Sequence, residues 1–364
     1  MTISVSKKGV GDYPVVFAED AFAEDNPALA DTLRSVTGSD SPRMMLVADM
    51  NVVQHTEGLG TKIGRYVKAN GLELMDSPVV LPGGEKIKCD NLHCAMRVAT
   101  AAVEAKIGAG DCILALGGGT ILDVAGWAAA QVRGGVKVVR VPTTVASMIE
   151  AAFADTAALD GAGVKDSMKV PCRPAAVVVD TRFASTVLDG VWRAGFSEAV
   201  RIAAISDADL MGRLSKIASD YKDRDDSAMV QTVTDAIAAR RKCGGSDFGQ
   251  WSALRLEAMS GYKLPHGYAI AIGVAVDTAY AQLRGLMTEE ERAVVMQALE
   301  DCGAMDGALH SRHLVAQTDA VMRGLDAWRL STGEEAVPVP NGLGSSIVEK
   351  IDRETMKQAL NMIK

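Results

Sequence analysis

The sequence predicts an α/β domain with a mostly parallel, doubly wound sheet, followed by an all-α domain. Through about residue 183, short apolar runs rich in Val, Ile and Leu alternate with longer amphipathic stretches. The runs are MMLVAD at 44–49, CILALGGG at 112–119, VKVVRVPTT at 136–144 and AAVVVD at 175–180. Buried strands that alternate with helices are typical of parallel sheets, whose ligands bind at the carboxyl ends of the strands.

The pattern changes after about residue 184, where one amphipathic stretch follows another. A strand-like composition returns only at AVPVP, residues 336–340. We therefore predict a first domain over residues 1–183 and a helical domain over residues 184–364. The segment GAGVKDSMKVPCRP at 161–174 is polar and rich in turn residues, and it is predicted to be a mobile loop between strands.

Composition excludes several classes of protein. A chain of 364 residues is long enough for two ordinary domains, and 48% hydrophobic with 23% charged residues is typical of a folded globular protein. The net charge is −8 and the signs are mixed along the chain, so nucleic acid is not an expected partner. Six cysteines without CxxC spacing indicate reduced thiols rather than disulfides or a zinc knuckle.

The amino-terminal segment lacks the apolar core of a secretory signal, and no apolar run approaches the ~18 residues that a membrane span needs. These features predict a cytoplasmic protein with no membrane partner.

A glycine-rich turn follows the strand CILAL. Gly117, Gly118 and Gly119 precede the apolar helix VAGWAAAQV, and Asp123 lies at its start. Glycines allow the backbone to approach a diphosphate, and the start of a helix offers unpaired N–H groups to an anion. A strand, a glycine run and a helix therefore indicate a phosphate site. The alternative is that the glycines only permit tight packing between strand and helix.

Polar residues follow other strands of the predicted sheet. Asp49 and Asn51 end one strand and are suited to ribose hydroxyls, and Glu85 and Lys88 lie on a nearby loop. Thr143 and Thr144 end another strand. Because parallel strands end at one edge, these groups are expected to converge there. For any one of them, the alternative is a solvated loop residue.

The order of six segments resembles dehydroquinate synthase and its sugar phosphate cyclase relatives. These segments are LPGGEKIK, ALGGGTILDVAGWAAAQVRGG, VPTT, RAGFSEAVR, DFGQWSALRLE and LPHGYAIAIG. The central piece also resembles glycerol-1-phosphate dehydrogenase, a more distant member of the superfamily. The resemblance implies an NAD-binding first domain and a helical second domain for the metal and the substrate. It implies a phosphorylated sugar or polyol as the substrate, and we expect a homodimer.

The resemblance also implies site residues. The implied NAD contacts are Asn51, Glu85, Lys88, Gly118, Gly119, Asp123, Thr143, Thr144 and Lys165. The implied ligands of a zinc or cobalt ion are Glu198, Gln250 and His266. The implied chemistry is a transient oxidation by NAD at the metal, loss of phosphate, return of the hydride, and ring closure by aldol addition.

Several positions depart from the pattern of that family. Gln250 stands where the family has a histidine ligand, and Leu254 stands where it has another active-site histidine. Arg201 replaces a lysine and Glu150 an aspartate, and both are carried as catalytic candidates. An amide is a weaker zinc ligand than imidazole, so weak metal binding is expected.

The glycine-rich loop that carries a lysine in the cyclases is replaced here by the segment 151–156. Arg133 and Lys165 are the candidates to supply the missing positive charge, with Lys169 and Arg173 as further possibilities. For each of these cations, the alternative is a solvated side chain.

Glu198 lies in the apolar helix FSEAVRIAAI, where a buried carboxylate needs a cation or a metal. Arg201, one helical turn later, is the alternative to a metal. His266 precedes a long apolar helix, and its alternative is a cap or core residue. Gln250 is either a ligand or a residue at a helix start that points elsewhere.

Three functions remain open at this point. A sugar phosphate cyclase with a remodelled site is the first prediction. An NAD(P)-dependent polyol or polyol phosphate dehydrogenase needs hydride transfer and a Lewis acid but no elimination machinery, which suits the missing lysine loop. A non-catalytic nucleotide-binding relative suits Gln250 and Leu254.

Overall fold

The computed structural model describes residues 2–7, 10–75, 78–243, 247–309 and 311–363. The chain divides into two compact units, Met1–Val187 and Leu188–Lys364. The division expected after residue 183 falls inside a 3-10 turn, Thr181–Thr186, at the end of the first unit. The assignment of one ligand class to each domain stays a prediction.

The first unit contains a sheet flanked by helices. Its strands are β1 (Thr2–Lys7), β2 (Val10–Phe17), β3 (Arg43–Asp49), β4 (Glu73–Leu74), β5 (Val79–Leu81), β6 (Cys112–Gly117), β7 (Lys137–Pro142), β8 (Thr156–Gly161), β9 (Val164–Pro171) and β10 (Ala176–Val179). Its helices are α1 (Ala28–Thr37), α2 (Met50–His55), α3 (Leu59–Ala69), α4 (His93–Glu104), α5 (Gly119–Gln131) and α6 (Val145–Ile149). Further 3-10 turns cover Glu85–Lys88 and Ala151–Phe153.

In the described chain, the sheet order is β1-β2-β10-β7-β6-β3-β4, and β5 also pairs with β3. Every pair is parallel except β1 with β2. The central strand β6 is buried at every residue, as its continuous apolar sequence requires for a strand covered on both faces. The predicted fold class of this half is confirmed.

The register aligns the ends of four strands. Gly117 of β6 pairs with Pro142 of β7, and Asp49 of β3 pairs with Leu81 of β5. Because these strands are parallel, the loops that follow them begin side by side at the carboxyl edge of the sheet.

The expectation of a mobile loop at 161–174 is wrong. Strands β8 and β9 form an antiparallel hairpin in which Gly161 pairs with Val164. The two residues between them, Ala162 and Gly163, have φ values of +52° and +75°. Two left-handed residues in a two-residue loop are the mark of a type I′ turn, which matches the twist of the strands that it joins. The alternation of buried and exposed residues along β9 then turns Lys165 inward.

In its described residues, the second unit is helical apart from one hairpin. Its helices are α7 (Asp189–Ser206), α8 (Ala208–Lys222), α9 (Asp226–Cys243), α10 (Gln250–Met259), α11 (His266–Leu283), α12 (Glu289–Asp301), α13 (Ala304–Leu309), α14 (Arg312–Val315), α15 (Thr318–Thr332) and α16 (Arg353–Met362). Its strands, β11 (Ala336–Pro340) and β12 (Ser346–Lys350), pair with each other. The strand predicted at 336–340 is therefore confirmed. None of the described helices is long and apolar enough to cross a bilayer.

Helix α11 is the core of this unit. It is buried from Gly267 through Ala281, because small and branched apolar residues cover all of its faces. Two glycines let neighbouring backbone approach it closely. A Cβ on Gly267 would lie 1.9 Å from the carbonyl oxygen of Ala194, and one on Gly273 would lie 1.9 Å from that of Gly249. The contact at Gly273 fixes the chain immediately before α10, where Gln250 begins the helix.

We expect Gly273→Ala to destabilise the protein by about 3 kcal/mol or more, because α11 must move away from Gly249 to admit the methyl group. The control is Gly212→Ala on α8, where nothing lies within 4 Å of the added carbon. That variant should stabilise the helix by about 0.5–1 kcal/mol. Denaturant unfolding followed by circular dichroism measures both. Equal stability of the two variants would contradict the close approach.

Candidate functional site

The glycine-rich turn leads directly into α5. Gly118 is the N-cap of the helix and has no side chain to accept hydrogen bonds from the N–H groups of the first turn. Packing explains Gly117, because a Cβ there would lie 2.6 Å from that of Ile121. Packing requires glycine less strictly at Gly118 and Gly119, because a Cβ at these positions would lie 3.3 and 3.2 Å from the nearest side-chain atoms. The helix start therefore keeps the properties of an anion site.

The end of β3 adds a polar group to the same edge. Asp49 caps α2, and its Oδ1 accepts from the backbone N–H of Asn51 at 2.8 Å. Burial raises the pKa of Asp49 above its usual value, although the hydrogen bonds from Asn51 oppose the shift. A Cβ on Gly83 would fall 2.3 Å from the side-chain nitrogen of Asn51. The glycine loop after β5 thus packs directly on the two residues that were predicted to meet ribose.

Lys88 is buried between two carboxylates. Its ammonium lies 2.7 Å from Asp123 of α5 and 2.5 Å from Asp166 of β9. Burial raises the pKa of Asp123 more than Lys88 lowers it. Asp166 differs, because Lys88 and Lys165 together outweigh burial and lower its pKa. Asp166 also has a φ of +53°, an uncommon conformation for a residue other than glycine.

A second buried lysine lies beside this cluster. The ammonium of Lys165 is 2.6 Å from Glu85, and only 3% of the lysine side chain is exposed. These ion pairs attach the β8–β9 hairpin to α5 and to the turn Glu85–Lys88. They include four residues that were predicted to contact NAD, namely Glu85, Lys88, Asp123 and Lys165. Sequence reasoning missed Asp166, because residues 161–174 were predicted to be a loop. Its signal was its position next to Lys165 in a segment whose buried and exposed residues alternate.

Three of the predicted site residues, Thr143, Thr144 and Glu150, follow β7. Thr144 caps α6 in a reciprocal pair with Ser147, so its hydroxyl is used within the chain. Thr143 is completely buried, and its hydroxyl has no hydrogen-bond partner in the part of the chain that the structure describes. Glu150 is the C-cap of α6 and is half-buried. Thr143 stays a candidate for contact with NAD, and Glu150 stays a candidate for a catalytic role.

Arg133 does not join the other candidates. It lies in the turn before β7, at the amino-terminal edge of the sheet, and its Nε donates to the carbonyl of Ile107 at 3.2 Å. The prediction of a catalytic role for Arg133 is therefore corrected, because the residues around Gly118 lie at the opposite edge. Arg140 was missed. This buried side chain donates to the carbonyls of Ala151, Ala152, Ala154 and Cys172 and so fixes the segment that replaces the lysine loop.

In the second unit, Glu198 and Arg201 form a completely buried ion pair on α7. The Nε and the terminal nitrogen of Arg201 lie 2.8 and 2.7 Å from Oε2 of Glu198. Burial alone would raise the pKa of Glu198, but Arg201 and His266 lower it to about 2. Arg201 is therefore the cationic partner that the apolar helix required, rather than a cation that faces solvent.

His266 stands between two glutamates. Its Nε2 lies 3.3 Å from Oε1 of Glu198, and its Nδ1 lies 2.8 Å from Oε1 of Glu257 on α10. Burial would lower the pKa of His266, but Glu257 and Glu198 raise it to about 10. Sequence reasoning missed Glu257. Its signal was the carboxylate that ends the segment LRLE, because a carboxylate on a buried helix face needs a partner.

Gln250 is the first residue of α10 and is half-buried. Its position is set by Asp277 of α11, which was also missed. The carboxylate of Asp277 accepts from the backbone N–H of Gly249 at 2.9 Å and from the indole N–H of Trp251 at 2.8 Å. Burial raises the pKa of Asp277 to about 7. A buried acid thus holds both neighbours of Gln250 in place.

The donors around His266 fit a divalent cation in part. Among the described residues, Oε1 of Glu198 is buried and its neighbour is Nε2 of His266 at 3.3 Å, whereas Arg201 binds the other oxygen, so Oε1 keeps lone pairs for a ligand. Two donors about 2.1 Å from a tetrahedral zinc are separated by roughly 3.4 Å, which is close to the 3.3 Å between Glu198 and His266. In the described ranges no group of three or more His, Cys, Asp or Glu side chains is arranged to hold a metal. A third donor would have to be a group of another kind, such as the amide of Gln250 or a water molecule, and the fit is that of a weak site.

The family comparison covers most of the chain. A model of the 3-dehydroquinate synthase N-terminal region matches residues 78–194, and a model of its C-terminal region matches residues 195–322. The 3-dehydroquinate synthase of Streptococcus equi subsp. equi is 24% identical over 361 residues, which are 95% of this chain and 94% of that protein.

Two solved structures share the fold. One is 2-epi-5-epi-valiolone synthase from Streptomyces hygroscopicus subsp. jinggangensis with NAD+ and Zn2+ bound, at a TM-score of 0.80 and 22% identity over 99% of this chain and 98% of that one. The other is 2-deoxy-scyllo-inosose synthase complexed with carbaglucose-6-phosphate, NAD+ and Co2+, at a TM-score of 0.79 and 17% identity over 100% of this chain and 99% of that one. At these identities, the likeness shows the fold.

The raised pKa of His266 predicts a dependence of stability on pH. The charged imidazole stabilises the folded state fully below its ordinary pKa of 6.5, and this contribution is lost as the pH rises toward about 10. His266→Gln should therefore lower the Tm most near pH 6 and progressively less at higher pH. His313→Gln, at an exposed histidine, is the control and should show no such trend. A constant Tm difference for His266→Gln between about pH 6 and 10 would contradict the paired glutamates.

Proposed function

Since the chain belongs to the dehydroquinate synthase-like superfamily, we propose that it is an NAD-dependent sugar phosphate cyclase that eliminates phosphate from its substrate. The observation that carries this proposal is the pair formed by Oε1 of the buried Glu198 and Nε2 of the partly exposed His266, a carboxylate and an imidazole at the spacing of two metal ligands. The family match and the glycine-rich start of α5 support the same reading.

NAD would bind at the carboxyl edge of the sheet. The diphosphate would lie at the start of α5, near Gly118 and Gly119, where backbone N–H groups attract an anion. Asn51 would meet a ribose, and Lys165, supported by Glu85, would supply positive charge beside the nucleotide. Held at this edge, NAD would supply reversible hydride transfer, so no net NADH would form.

A divalent metal would be held by Glu198, His266 and Gln250, and it would supply a Lewis acid for the carbinol oxygen. Arg201 keeps Glu198 ionised, because its guanidinium offsets the cost of burying that carboxylate. Asp277 keeps the first turn of α10 in place through Gly249 and Trp251. An amide ligand is neutral and weaker than imidazole, so the metal would be lost easily on purification.

A polyol or polyol phosphate dehydrogenase is the second candidate. The specific observation that favours it is the segment after α6, where the buried Arg140 binds three carbonyls of residues 151–154. This guanidinium is used inside the protein and does not replace the lysine of the cyclases. A dehydrogenase needs no group to assist phosphate loss.

The two candidates differ in their products. Purified protein is incubated with NAD, Co2+ and a panel of sugar phosphates, and inorganic phosphate and NADH are recorded together. A cyclase releases phosphate without net NADH, which is the expected result. Accumulating NADH without phosphate would contradict the cyclase and support the dehydrogenase. Neither product, with NAD still bound, would support a non-catalytic protein.

Lys165→Ala should weaken NAD binding by about 1.5–3 kcal/mol, because it removes a charge-assisted contact and leaves Glu85 without its lysine. Lys169→Ala is the matched control on the same strand, since Lys169 is exposed. Its affinity should stay within about twofold of the parent. Calorimetry with NAD measures both, and equal affinity of Lys165→Ala and the parent would remove Lys165 from the site.

Gln250→His should raise zinc and cobalt affinity sharply, because it completes a set of one carboxylate and two imidazoles. The parent should bind the same metals more weakly. Metal titration of both proteins by calorimetry provides the comparison. Negligible binding by both would show that Arg201 and His266 neutralise Glu198 without a metal, and it would contradict the proposed metal site.

A further inference from the structure

Glu257 is a buried carboxylate that neither the predicted ligand set nor the proposed chemistry uses. It lies on α10, none of its side chain is exposed, and its Oε1 is 2.8 Å from Nδ1 of His266. An ionised carboxylate carries no hydrogen, so this contact requires the proton to reside on Nδ1. The other ring nitrogen, Nε2, then faces Oε1 of Glu198.

We propose that Glu257 is the positioning residue of the cation site and that it holds His266 with Nε2 directed at Glu198. A ligand histidine commonly donates its second N–H to a carboxylate, which fixes the ring and makes the ligand nitrogen more basic. This inference rests on the proposed function, because it assigns the gap between Glu198 and His266 to a divalent cation.

The charges of the cluster support this assignment. Glu198 and Glu257 are both completely buried, and Arg201 is the buried guanidinium that lies against Glu198. The two glutamates lie against the two ring nitrogens of His266, whose side chain is 33% exposed. Carboxylates on both sides of the ring favour positive charge between them, either a proton on His266 or a metal ion. Glu257 therefore orients the ring of His266, and its negative charge also favours a cation between His266 and Glu198.

A purely structural reading of the same contact is that Glu257 only fastens the end of α10 to the start of α11. Under that reading, its removal lowers stability but leaves the affinity of a correctly folded protein for a metal unchanged. Metal affinity therefore distinguishes positioning from support.

The test uses the full chain stripped of metal by a chelator and titrated with Co2+, followed by calorimetry and by cobalt absorption. Glu257→Gln preserves the shape of the side chain but not its charge. We expect its Co2+ affinity to fall about 10- to 100-fold. The control is Glu349→Gln, which removes a partly buried glutamate that pairs with Arg284 elsewhere in the same unit. Its Co2+ affinity should match the parent. Parent-like affinity of a folded Glu257→Gln would overturn the inference.

A second measurement applies to the parent protein and separates this inference from the proposed function. Nitrogen-15 histidine spectra of the metal-free protein should show a slowly exchanging Nδ1–H signal from His266. Absence of that signal would overturn the inference even if Co2+ binds. If the parent binds no Co2+ while the signal is present, the proposed metal chemistry fails and Glu257 still orients His266.

Discussion

The buried carboxylate of Glu198 is the constraint on which the helical unit depends. Its helix is buried from Ala194 through Ile205, so the charge must be neutralised from within the protein. Arg201 binds one oxygen of the carboxylate and His266 approaches the other, while Glu257 holds the far side of the ring. Glycines at positions 267 and 273 allow α11 to pack closely enough to form this network. The packing of the unit and the chemistry of its candidate site therefore have a common cause.

The first unit also contains buried charges that need partners. Here two lysines, Lys88 and Lys165, are buried among carboxylates that come from separate elements of the chain. The pairs join the β8–β9 hairpin to α5, whose start carries the glycines suited to a diphosphate. Charged residues that the family resemblance assigns to NAD thus also stabilise the hairpin. A nucleotide that binds there would have to interact with groups that already have partners in the chain.

Much of the architecture was predictable from the sequence, because buried parallel strands and amphipathic helices have distinct patterns. The strands around Gly117 and the change to helices after residue 184 were visible in this way. The β8–β9 hairpin was not, because its turn uses Ala162 in a left-handed conformation that glycine or asparagine would have signalled. Glu257 and Asp277 were missed for another reason. Their functions come from partners on other elements, His266 and Gly249, and sequence spacing does not reveal such contacts.

The proposed function requires a divalent cation in the gap between Glu198 and His266. The most direct measurement is anomalous X-ray diffraction at the cobalt absorption edge from crystals grown with Co2+. We expect a single strong peak in contact with Oε1 of Glu198 and Nε2 of His266, with the side chain of Gln250 directed toward it. No peak at that position in crystals soaked at millimolar cobalt, with the Glu198–Arg201 pair intact, would contradict a metal site there.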